Sequence, residues 1–70
     1  MKREELIRVL EESAANNLAI ARQLVEEAGY FDHVGKAAEA DGARDVAARA
    51  RFSAGCNVAI INHLNGVSPE

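Results

Sequence analysis

Few side chains in this sequence could carry chemistry, and they are scattered. His33 and His63 stand thirty residues apart and Cys56 stands alone, so no His/Cys group has the spacing of a zinc site. His63 falls near the end of a helical stretch, where an imidazole suits the negative end of the helix dipole without any catalytic task. Cys56, between Gly55 and Asn57, reads as a small packing residue rather than a nucleophile. There is no glycine-rich phosphate loop, no Ser/His/Asp set and no Glu-x-x-His pair. No catalytic residue, metal ligand or cofactor is therefore assigned.

Two carboxylate doublets, Glu11-Glu12 and Glu26-Glu27, invite comparison with helical metal-dependent pyrophosphatases. The downstream Glu-x-x-Asp of that pattern is missing, and both doublets fall on the polar side of their helix, so that reading is rejected. The arginines are more suggestive. Arg44 and Arg51 are seven residues apart on one edge of a helix, Asn62 continues the row, and Arg49 lies on the other edge. Such a strip could meet a phosphate-bearing small molecule, RNA or an acidic partner helix. The simpler use is pairing with the many glutamates of the first helix or of a second copy.

The most informative oddity is polar but uncharged. Asn17 falls at the centre of an apolar helical arc with Ser13 beside it, and Asn57 and Ser53 fall near the centre of another. In an antiparallel hairpin these four residues share one height. A buried Asn must find hydrogen-bond partners, so the expected layer either specifies register and oligomer state, as a core Asn does in coiled coils, or lines a central ligand site.

The elements that must position these residues are helical. Alanine occupies fourteen of 70 positions, and the only proline is Pro69. No apolar/polar alternation marks a strand. The first helix is predicted over about residues 2–28, its apolar residues filling roughly half of a wheel drawn at about 100° per residue. Gly29 and Tyr30 read as its stop. The adjacent aromatics Tyr30 and Phe31 are expected to cap the core. A short helical segment is predicted over about 36–41, with a break at Asp41-Gly42, and a last helix over about 43–64, ended by Asn65-Gly66. Val67 follows that stop, and residues 67–70 are expected to fray. One helical domain thus spans residues 1–66. Small residues recur every seven positions: Ile7, Ala14, Ala21 and Ala28 in one row, Ala47, Ala54 and Ile61 in another, Ala48 and Gly55 in a third.

Seventy residues bury little surface alone, and the usual aids are disulfides, metals or oligomerisation. The lone cysteine and the absence of ligand clusters leave self-association. The last helix is apolar nearly all round, with Ala48, Phe52, Gly55, Cys56 and Ala59 opposite its main face, and these form the expected oligomer interface. The expected architecture is all-α, an antiparallel helical hairpin assembling into a multi-helix bundle by homo-oligomerisation. A net charge of −3 gives nothing to attract nucleic acid or an anionic membrane. No stretch is long enough to span a bilayer. The N-terminus has no signal-peptide pattern, and one unpaired cysteine suits a reducing compartment, so the expected location is cytoplasmic.

The leading expectation is a non-enzymatic homo-oligomer, a dimer or larger, acting by binding as a regulator, adaptor or inhibitor of a protein partner. The alternatives are an oligomer that takes an anionic small molecule such as a nucleotide, or RNA, through interfacial arginines, and an enzyme with a site shared between subunits. By architecture alone the chain is similar to a plasmid-encoded RNA-binding four-helix bundle and to small phage proteins that sequester cyclic nucleotides. It shares no motif with either, so neither lends it a function.

Overall fold

The computed structural model describes residues 1–66, which form two helices packed against each other as a hairpin: α1, Arg3–His33, and α2, Ala37–Leu64. The all-α hairpin expected from composition is what forms. Its dimensions are 48 × 26 × 13 Å. The smallest is close to the roughly 10–12 Å diameter of one helix, so the hairpin is a slab one helix thick. Among the described residues no second layer of helices covers either face of the slab.

Two expected helix ends differ from the local signals. α1 does not stop at Gly29 but runs on to His33, and the left-handed residue that ends it is Gly35, with φ of 79°. The Gly35 N–H donates to the Asp32 carbonyl at 3.2 Å and the Lys36 N–H to the Phe31 carbonyl at 2.8 Å. This is the paired closure of a Schellman stop, one and a half turns later than expected. The extra length places Phe31 against Ala28, Ala40 and Ala43 at the closed end. The break at Asp41-Gly42 is also absent: α2 is continuous from residue 37, so the separate segment at 36–41 is part of one helix. Ala40 and Ala43 on either side are both buried. Keeping them in helical register outweighs the roughly 1 kcal/mol that a mid-helix glycine costs. The stop at Asn65-Gly66 is as expected, with Gly66 at φ of 75°. Val67 and the tail expected to fray lie outside the described residues.

The interior is made of alanine. The buried residues are Ala14, Ala21 and Ala28 of α1 with Ala40, Ala43, Ala47 and Ala54 of α2. Two hydrogen bonds across the hairpin fix the register: Asn17 Nδ2 donates to Ser53 Oγ at 3.4 Å, and Asn57 Nδ2 to the Leu10 carbonyl at 3.5 Å. Partners at one height therefore have residue numbers adding to about 67–70. Ala14 then stands opposite Ala54, Ala21 opposite Ala47, and Ala28 opposite Ala40. The row with Ile7 on α1 thus meets the row with Ile61 on α2, and small side chains in both let the helices approach closely.

Candidate interaction faces

The two rows flanking the alanine seam divide the slab into unlike faces. On the first, the α1 row Leu18, Val25 and Asp32 lies beside the α2 row Arg44, Arg51 and Val58. Two contacts establish the pairing. Arg44 forms an ion pair with Asp32, and Arg51 lines an open recess of about 320 Å³ with Leu18, Arg22, Val25 and Glu26. Hydrogen bonding to Asp32 and its negative charge raise the Arg44 pKa above its already basic value, so its charge is permanent in any ordinary buffer. Arg44 also stands 3.9 Å from Asp41.

The opposite face carries the α1 row Leu6, Ser13 and Ile20 beside the α2 row Val46, Ser53 and Ile60. Leu10, Asn17 and Leu24 lie between these rows and the seam. Ile20, Val46 and Ile60 are each about half exposed, at 50%, 48% and 46%. Charge appears on this face only at its two ends. Here lies the expected polar layer: Ser13, Asn17 and Asn57 are half-buried, and Ser53 is exposed. The Asn17–Ser53 bond brings two of the four together at one height, and Asn57 bonds to backbone instead. Within one chain the layer is therefore a polar patch in the middle of an apolar face.

The arginine strip does not stay together. Arg44 and Arg51 share the first face, whereas Arg49 pairs along its own helix with Asp45 at 3.0 Å. Asn62 is exposed. The surface expected to join copies, Ala48, Phe52, Gly55, Cys56 and Ala59, is exposed throughout, and Phe52 is 76% exposed. A Cβ added at Gly55 would meet nothing within 4 Å, so no described residue covers that position. Of the adjacent aromatics at the end of α1, Phe31 packs on the alanine cluster as expected, but Tyr30 is exposed and touches Phe31 edge-on at 5.9 Å.

Sequence reasoning missed the partnership of Asp32 with Arg44 and that of Arg22 with Arg51. The signal for the first was present, since Leu18, Val25 and Asp32 are seven apart, but it becomes legible only once α1 is known to continue past Gly29. No group of three or more His, Cys, Asp or Glu side chains among the described residues could hold a metal ion. No helix among them is long and apolar enough to cross a membrane. Comparison with protein families, with curated proteins and with solved structures finds no match to this chain.

Proposed function

We propose that this chain is a non-enzymatic, self-associating helical module that acts by binding, as a regulator, adaptor or inhibitor of another protein. One observation carries the reading: among the described residues every buried one is an alanine, while nine Val, Leu, Ile, Phe and Tyr side chains of the two helices are at least 43% exposed. Burying a whole Val, Leu or Ile side chain is worth roughly 1.5–3 kcal/mol. Each half-exposed one thus leaves on the order of 1 kcal/mol available to an association. The accessible surface is 5208 Å², against roughly 4,200 Å² for a compact folded monomer of this mass. The excess is comparable with the roughly 800 Å² that each partner contributes to an ordinary stable interface. Sedimentation equilibrium at micromolar concentration tests the proposal. The expected result is a dimer or larger species, and a well-folded monomer would refute it.

A second reading has its own support. Arg22 and Arg51 both line the recess on the first face, and neither forms an ion pair among the described residues. An anionic small molecule fits that pair of guanidinium groups. Titration with inorganic pyrophosphate at two salt concentrations tests it, because an ionic contact weakens steeply with salt. Unchanged affinity for an Arg22→Ala/Arg51→Ala variant would remove this reading.

A further inference from the structure

The apolar face has an internal symmetry that the first face lacks. On α1, Leu10 and Ile20 lie five residues either side of position 15, and Leu6 and Leu24 lie nine either side. Closer in, Ser13 and Asn17 flank that position at two residues each. On α2, Val46 and Ile60 stand seven residues either side of Ser53. Positions 15 and 53 add to a number within the register set by the Asn17–Ser53 and Leu10–Asn57 hydrogen bonds, so the two centres lie at one height. The large apolar residues are thus mirrored about the middle of the face, around a polar patch that Asn57 extends toward Leu10.

Charge extends the pattern and gives it a direction. Arg3, twelve residues before position 15, lies at the open end of the hairpin with Lys2 beside it. Glu27, twelve residues after, lies at the closed end across from Glu39. None of these four forms an ion pair among the described residues, and Glu27 accepts only a 3.0 Å hydrogen bond from Gln23. A two-fold axis lying in the plane of the face at its middle, across the helices, would lay one hairpin on another head to tail. Leu6 and Leu10 would then meet the partner's layer of Ile20 and Leu24. Lys2 and Arg3 at the open end would meet Glu27 and Glu39 at the closed end, twice over, with Glu4 and Glu5 sharing the open end and Lys36 the closed one. Parallel stacking of the same faces would instead set Glu27 of each copy against Glu39 of the other.

We infer that this face docks on a second copy of the same chain in that head-to-tail arrangement, forming a four-helix bundle with the Asn17–Ser53 layer on its two-fold axis. An isologous interface requires that a surface complement itself under rotation. A mirrored apolar pattern with opposite charges at its two ends meets that requirement, whereas an unrelated partner would impose no such symmetry. The inference rests on the self-association proposed above and adds the face, the partner and the orientation. It leaves the recess at Arg22 and Arg51 open on the outside of the bundle.

Two measurements on the full chain test it, both in a Cys56→Ser background. In the first, one variant carries Lys2→Glu and Arg3→Glu, and a second carries Glu27→Lys and Glu39→Lys. Each alone is expected to self-associate at least tenfold more weakly than the parent at low salt, and the 1:1 mixture to recover a heterodimer. In the second, Val34→Cys carries a spin label at the hairpin turn. Head-to-tail docking places the two labels about 45 Å apart, near the length of a helix of this size at about 1.5 Å per residue, and parallel docking places them on the order of one helix-to-helix spacing apart, about 10–20 Å. An oligomer with close labels, or one indifferent to the charge reversals, overturns this inference and leaves self-association standing. A folded monomer at micromolar concentration overturns both.

Discussion

If alanine contact sets the distance between the helices, bulk placed in that seam must force them apart. Ala21 is 1% exposed and stands opposite Ala47, which is 0% exposed. Ala21→Leu adds three carbons there. Fully buried, they would return roughly 0.8 kcal/mol each. The seam has no room for them, because the facing residue in the next layer either way is again alanine, at Ala40 and Ala54. Overpacking of this kind costs about 1–3 kcal/mol net. Helix propensity hardly enters, since leucine ranks just below alanine. For a domain of this size that loss lowers Tm by about 4–8 °C per kcal/mol. The control is Ala19→Leu, on the exposed outer side of α1, expected to stay within about 0.5 kcal/mol of the parent. Thermal and urea unfolding followed by circular dichroism at equal protein concentration would measure both. An Ala21→Leu variant as stable as the Ala19→Leu control would show that the helices are not in close contact along this row, and the register argument would fall with it.

Gly42→Ala is expected to stabilise the chain by about 0.5–1 kcal/mol, because Gly42 is helical and an added Cβ meets nothing within 4 Å; an unchanged urea midpoint would imply strain in the helix there. Gly35→Ala is expected to destabilise it by about 1–2 kcal/mol, since its φ of 79° is the left-handed turn between the helices; equal stability would mean that the turn can be remade. Asn17→Leu is expected to melt higher yet give mixed oligomers, and calorimetry together with sedimentation reads both; a lower Tm would show that its bond to Ser53 matters more than the apolar surroundings. Arg44→Ala with Arg51→Ala is expected to shift Tm by only a few degrees, because exposed ion pairs contribute little. The raised Arg44 pKa adds no pH dependence below strongly alkaline conditions: its stabilisation is complete below the unfolded value and is lost only as pH climbs through the folded one. A melting curve that changed between pH 6 and 9 because of Arg44 would contradict that.

Side-chain periodicity by itself determined the helical class and the contact row. Ile7, Ala14, Ala21 and Ala28 are visible as a seven-residue repeat before any fold is known, and so are Ala47, Ala54 and Ile61. The stop at Asn65-Gly66 is equally plain, since a glycine after the last turn takes the left-handed conformation that ends a helix. Asn17 and Ser53 stand at one height on the two antiparallel helices, joined by a hydrogen bond, with Ser53 exposed rather than buried. What only the tertiary structure decided is where local signals of similar strength are overruled. Gly29 and Gly42 each disfavour a helix by about 1 kcal/mol, and so does any glycine that does not end one. Gly29 is passed because four more helical residues bring Phe31 onto the alanine cluster, and Gly42 because Ala40 and Ala43 both face α1. Gly35 is not passed, since the chain must reverse for those contacts to form. The turn in turn sets the register, and the register decides that Ala28 faces Ala40, that Asp32 reaches Arg44, and that the large apolar residues are left on the flanks. Where Ala14, Ala21 and Ala28 face Ala54, Ala47 and Ala40 the seam is narrow, and that close approach of two helices is a property of the pair, which neither helix's sequence expresses alone.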